Sequence, residues 1–290
     1  MVQLVDKPLV LKDKAFSVDK INEYTLSFSI SEQEFAFCVV DTEAKKCLGL
    51  ENHPLKDEGY YLDQIRNIID DHIYLSAGFW KDIKVCIQDT PYALIPESLF
   101  EEKETDRYLD KTYDVDPKKE NIHINKLTSN QIVSVFVCAK ELEKLFKSKY
   151  PNKTVSYYSG MSAFINSVND FAKTSNQKQV FVSNIQHQLK ILILEKNKVI
   201  FSNQFLWTTP DDFAFYVLYA FKHHFLNQEK NKVTVFGNLS DSSKQFHRIA
   251  EFVAEVQTGD RTKDLLFSYI FDEEKEQKHV ELLKLHTLPS

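Results

Sequence analysis

The chain has 290 residues, 43% of them hydrophobic and 13% aromatic, with 36 basic against 42 acidic side chains and a formal net charge of −6. Such a length and apolar content allow about two domains with a sizeable core and exclude a disordered chain. The negative balance, with lysines interspersed among acids, argues against a nucleic-acid partner, and no apolar run approaches the roughly 18 residues that cross a bilayer.

Met1 to Lys20 is peppered with Asp and Lys and carries no apolar segment of the signal-peptide kind, so a cytoplasmic protein without membrane insertion is expected. The next element in chain order is Leu26–Val40, LSFSISEQEFAFCVV, which alternates apolar and polar residues, turns, and continues as a nearly unbroken apolar run. It predicts a hairpin with one more deeply buried strand. A third strand is expected around Cys47–Leu50, a helix over Tyr60–Leu75 from the spacing of Leu62, Ile65, Ile69 and Ile73, and a further strand at Ile83–Gln88. Pro91–Phe100 extends the strand region, and Glu101–Glu120 reads as a charged loop. Ile122–Leu127 and Gln131–Cys138 read as a hairpin, Ala139–Tyr150 as an amphipathic helix, Thr154–Tyr158 as a strand and Met161–Lys173 as a helix. A polar linker at Thr174–Lys178 closes the first half.

Val180–Leu194, VFVSNIQHQLKILIL, then repeats the opening hairpin at a constant offset of 154 residues, with Leu26 on Val180, Phe28 on Val182 and Phe37–Val40 on Ile191–Leu194. A helix over Asp211–Phe225, capped by Thr209 or Asp211, and a strand at Val233–Phe236 follow. The order β-β-β-α-β therefore occurs twice. The expected fold is α/β with mixed sheets, two lobes at 1–176 and 177–290, and an insertion in the first at about 101–158.

A duplicated unit of this kind resembles the actin-like ATPase (ribonuclease-H-like) fold. Through KINEYTLSFSISEQEFAFCVVD, FWKDIKVCIQDTPYALIPESLF, VSVFVCAKELEKLF, the second meander and VTVFGNLS, the chain is similar to a bacterial family, domain of unknown function 3822, for which an actin-like fold is implied. It is more distantly similar to the actin-like scaffolds of type IV pilus and type II secretion systems. Competent actin-like ATPases place Asp and Gly in the turn after the first strand of each lobe, where they hold Mg²⁺ and phosphates. The matching turns, Ser29–Gln33 and Ser183–His187, contain neither. The chain's six glycines, where average usage gives roughly 20, leave few places for a phosphate loop.

No catalytic residue, cofactor or metal ligand is therefore expected. Ser29, Ser31, Ser183, Gln186, Gly237 and Asn238 are weak candidates for a residual nucleotide site between the lobes, which is the alternative to a non-catalytic binding or scaffold module with a protein partner or a homodimer. Gly237-Asn238 also reads as a plain strand-to-helix turn with Ser240 or Asp241 as cap. Cys38, Cys47, Cys86 and Cys138 show no CxxC pairing and read as structural thiols. Among nine histidines, the adjacent His223-His224 point about 100° apart on a helix and cannot chelate together. The run FAFYVLYAFKHHF, 213–225, is apolar on most faces, which fits either a helix wedged against the neighbouring lobe or a partner surface.

Overall fold

A computed structural model describes residues 7–172, 177–275 and 277–289. The first half runs β1 (Leu9–Lys12), β2 (Tyr24–Ile30), β3 (Glu34–Asp41), β4 (Lys46–Pro54), α1 (Tyr61–Asp71) and β5 (Asp82–Ile87). It continues with β6 (Tyr92–Pro96), β7 (Glu120–Leu127), β8 (Ile132–Ala139), α2 (Lys140–Lys149), β9 (Val155–Ser159) and α3 (Gly160–Ala172). The second half comprises β10 (Gln179–Ile185), β11 (Gln188–Glu195), β12 (Lys198–Leu206), α4 (Pro210–His223), β13 (Val233–Gly237), α5 (Lys244–Ala250), β14 (Val256–Thr258) and α6 (Val280–Lys284). The expected lobe boundary near residue 176 and the final residue of the Met161–Lys173 helix fall outside the described residues.

The strands form sheets of order β1-β4-β3-β2-β5-β9 and β12-β11-β10-β13-β14, with β6-β8-β7 as a smaller third sheet. In each large sheet an antiparallel three-stranded meander is extended by two parallel strands. The 154-residue offset governs the pairing as well as the pattern: Leu26 faces Val39 and Val180 faces Ile193. A bulge also recurs at the same place, between Val39 and Val40 in one meander and between Ile193 and Leu194 in the other.

β9 pairs in parallel with β5 at the edge of the first sheet. The segment expected as an insertion, 101–158, therefore divides: β7 and β8 belong to the small sheet, β9 to the large one. The small sheet also takes in β6, upstream of 101. Parallel addition to a central strand cannot be seen in the local pattern of a five-residue segment.

The period of two sorts each strand's side chains between two cores. Leu26, Phe28, Ile30, Phe35, Phe37 and Val39 pack outward with Leu62, Ile65 and Ile69 of α1 and Leu142 and Phe146 of α2. Phe28 meets Phe35 at 5.5 Å and Phe146 edge-on at 5.1 Å between ring centroids. Val180, Val182, Leu189, Ile191 and Ile193 do the same with Phe213, Val217 and Phe221 of α4 and Ile249 of α5. The opposite faces, with Ala36, Cys38, Val40, Phe181, Leu192 and Leu194, turn toward each other. Between them lie Met161, Phe164 and Val168 of α3 and Leu282 and Leu283 of α6.

α4 thus covers the outer face of its own sheet and is not wedged between the lobes. Thr209 caps it, accepting from the Asp212 N–H at 3.1 Å while the Asp212 carboxylate accepts from the Thr209 N–H at 2.9 Å. Its outer side leaves Phe215 and Tyr219 exposed. α5 is capped by Ser243, whose Oγ accepts from the Phe246 N–H, and not by Ser240 or Asp241. Among the described residues no helix is long and apolar enough to cross a membrane.

Candidate functional site between the lobes

The two meander turns approach each other where the inner faces of the sheets converge. Ser31 folds its own turn, its Oγ accepting from the N–H groups of Gln33 and Glu34 at 3.3 and 3.0 Å. The second turn is a tight two-residue link in which Gln186 takes a positive φ of 57°. From there the Gln186 Nε2 donates across to the Glu34 carboxylate at 3.0 Å. Burial raises the Glu34 carboxyl above its ordinary range.

Deeper in, a continuous polar chain crosses from one sheet to the other. The Gln88 amide donates to Ser29 Oγ at 2.8 Å and its Oε1 accepts from the Lys190 ammonium. Lys190 also meets Glu281 Oε2 at 2.7 Å, and Ser183 donates to Glu281 Oε1 at 2.6 Å. Lys190 is 0% exposed and Glu281 3%. A charge buried this completely is tolerated only because its partners are in place.

Two glycines of the crevice are closely packed, one of them against this network. A Cβ on Gly160, at the start of α3, would stand 2.6 Å from Gln88 Oε1 and 2.7 Å from Lys190 Nζ. Gly237, at the end of β13, has φ +72° and no room for a side chain, since a Cβ would lie 2.2 Å from the Asn184 carbonyl oxygen. Its N–H donates to the Gln277 carbonyl at 3.0 Å, and the Asn238 N–H donates to the Asn184 carbonyl at 2.7 Å. Both amides that a phosphate turn would present are thus committed to protein carbonyls.

The structure brings Ser29 and Ser183 into one network and sets Gln186 and Asn238 at its margins, while Ser31 and Gly237 serve their own turns. A groove of about 680 Å³ runs between the lobes farther out, lined by Pro91, Tyr92 and Leu94 of the first and Phe201, Ser202 and Gln204 of the second; at the network itself are two small spaces. One of about 20 Å³ is bounded by Ser29, Gln88, Asn238, His279 and Glu281, and one of about 140 Å³ by Ser31, Asp89, Gln186 and His187. Ligand pockets commonly hold about 300–1,000 Å³. Neither turn carries the Asp or Gly at which competent actin-like ATPases hold Mg²⁺ and phosphate, although Glu32 and Asp89 border the second of the small spaces.

Gln88, Lys190 and Glu281 were not among the residues singled out from sequence. The signal was present in one of them: a lysine inside LKILIL, an isolated charge in an apolar run. His279 adjoins them, and burial lowers its imidazole to about 3.

A cavity of about 740 Å³ lies elsewhere, between β7 of the small sheet and β9 of the first. His123, Lys126, Glu143, Lys147 and Tyr157 are among the residues that line it. Beside it, His123, Cys138 and Glu143 place one potential ligand atom each within 4.8 Å of one another, the one such group among the described residues.

Two mixed sheets of the same strand order, facing each other across paired helices, define an actin-like ATPase fold. The chain is similar to a protein of unknown function with that fold from Bacteroides thetaiotaomicron VPI-5482, at 19% identity and TM-score 0.81 over 94% of this chain and 99% of that one. It is also similar to the PilM-PilN type IV pilus biogenesis complex, at 9% identity and TM-score 0.59 over 91% and 97%. The cytoplasmic domain of EpsL, an inner membrane component of the type II secretion system of Vibrio cholerae, matches at 9% identity and TM-score 0.45 over 92% and 96%. No curated protein sequence matches. Residues 13–256 match the family described as protein of unknown function, DUF3822, and the chain belongs to that family.

Proposed function

We propose that this chain is a non-catalytic, actin-like cytoplasmic module that binds another protein or a second copy of itself, built of lobes 1–176 and 177–290. The observation that carries the reading is the Lys190 ammonium, seated with Gln88 and Glu281 where an actin-like ATPase would admit the phosphates of its nucleotide. Its charge is already matched, and displacing it would strand the Glu281 carboxylate in the core. Further support comes from a fold-sharing protein that stands in a pilus biogenesis complex with a second protein. The same frame can therefore serve assembly.

The competing reading, a degenerate ATP binder using Ser29, Ser183 and Gly237, requires the crevice to open and the Gly237 and Asn238 amides to leave their carbonyl partners. The two readings part in a thermal-shift titration with ATP, ADP and GTP, each with Mg²⁺. The non-catalytic module shows no stabilisation by any of them. Saturable stabilisation of several degrees by any of them would overturn this reading in favour of the other. Light scattering across a concentration series tests self-association directly.

A further inference from the structure

We propose that His123, Cys138 and Glu143 form a zinc site on the small sheet, open to the large cavity beside it. The proposal stands on geometry independent of the crevice and goes beyond the reading given above. β7 and β8 pair so that Asn121 faces Cys138 and His123 faces Phe136, which puts the His123 and Cys138 side chains on one face of the sheet. Glu143 reaches that face from the first turn of α2, immediately after β8. The three ligand atoms, a ring nitrogen, a thiol sulfur and a carboxylate oxygen, converge within 4.8 Å.

The set is preorganised. His123 Nε2 hydrogen-bonds to Glu143 Oε1, and the Asn121 amide donates to the other carboxylate oxygen, Oε2, at 2.5 Å. Asn121 thus orients the carboxylate while leaving Oε1 toward the histidine, the supporting contact that metal-ligating carboxylates typically have. The Cys138 thiol, 1% exposed, also faces the Glu143 carboxyl. The His123 ring rests between Phe136 and Tyr157, with centroid distances of 5.6 and 5.2 Å.

The donor types select the cation. A thiolate with an imidazole and one carboxylate suits zinc, whose bonds run to about 2.3 Å for sulfur and about 2.0–2.2 Å for nitrogen and oxygen. Magnesium and calcium prefer all-oxygen sets. Entry of Zn²⁺ replaces the thiol proton of Cys138, which leaves to solvent, while the imidazole of His123 keeps its proton on the ring nitrogen that does not ligate. Three protein ligands leave a fourth tetrahedral position for water or a small ligand. His123 and Glu143 line the 740 Å³ cavity, with side chains 28% and 22% exposed, so that position is reachable from it.

Cobalt(II) titration of the full purified chain, stripped of metal by chelator, tests the site with Co²⁺ alone as the probe and Zn²⁺ as the displacing ion. The expected result is one equivalent bound, with the near-ultraviolet charge-transfer band of a cobalt thiolate, release of protons in weak buffer, and loss of the band on adding Zn²⁺. Cys138→Ser abolishes the band. Asn121→Ala, which ligates nothing, keeps it but weakens binding by about tenfold or more. His123→Gln, at a partly exposed position, serves as a second ligand variant if Cys138→Ser does not fold, as judged by circular dichroism. A wild-type protein that shows no thiolate band at saturating Co²⁺ overturns the proposal, and so does a band that survives in Cys138→Ser or His123→Gln.

Discussion

Replacing Lys190 by methionine keeps an unbranched side chain, one atom shorter, and removes its charge. In the native protein the ammonium sits between Gln88 Oε1 and Glu281 Oε2, 2.7 Å from the latter, with no exposure to solvent. After Lys190→Met the Glu281 carboxylate retains only the Ser183 hydroxyl at 2.6 Å, and the cost of an uncompensated buried charge is about 3–5 kcal/mol. Against a total stability of about 5–15 kcal/mol this is a large share. Adding Glu281→Gln removes the orphaned charge while leaving an oxygen for Ser183 to reach. The double variant is therefore expected to recover about 2 kcal/mol or more relative to the sum of the single losses. Urea unfolding followed by tryptophan fluorescence reads this well, because Trp80 lies in the first outer core and Trp207 in the second. Midpoints are compared at unchanged slope. A single-variant loss below about 1 kcal/mol, or strict additivity in the cycle, would refute the reasoning.

Gly160→Ala drives a methyl group into the contact between Gln88 and Lys190 and is expected to cost about 1–3 kcal/mol in the same urea assay. Gly237→Ala combines a left-handed backbone with a clash against a carbonyl and should cost about 2 kcal/mol or more, so it lowers the melting temperature whether or not a nucleotide is present. His279, held near 3 by burial against an unfolded value of 6.5, makes the unfolded chain bind a proton that the folded chain refuses as pH falls between those values. Its stability contribution therefore declines toward acid by about 1.4 kcal/mol per pH unit below 6.5, and His279→Gln should flatten the stability profile between pH 6.5 and 5. All four cysteines are buried, and burial pushes the Cys47 thiol up to about 12. A thiol reagent should then modify none of them at neutral pH until denaturant is added, with rapid native-state labelling as the contrary result.

The hairpins were legible because a period-two pattern records which face of a strand is buried, and the 154-residue offset set the inner and outer positions of both halves at once. The amphipathic spacing of Leu62, Ile65 and Ile69 and the Thr209 cap were equally local signals. What escaped was long-range. β9 is indistinguishable in sequence from a strand of the small sheet until its pairing with β5 is known. The serines flanking the crevice could be named from their turns. Their partners Gln88 and Glu281 come from segments distant in sequence, and only tertiary packing brings them together. The His123, Cys138 and Glu143 group escaped for a similar reason: its spacing follows from hairpin register and helix entry, which a search for fixed-interval motifs does not sample.

The shared register of the two meanders has a consequence for assembly of the chain. Two hairpins with the same pairing and the same bulge are near-interchangeable parts, and during folding each could dock into the sheet meant for the other. Residues at equivalent inner positions break that degeneracy. Where the first hairpin carries Ala36 opposite Ser29, the second carries Lys190 opposite Ser183. In the wrong sheet that ammonium would be sealed away from Glu281, at a cost of several kcal/mol that no apolar contact recovers. The buried ion pair thereby acts as a keying element, telling two copies of one frame apart.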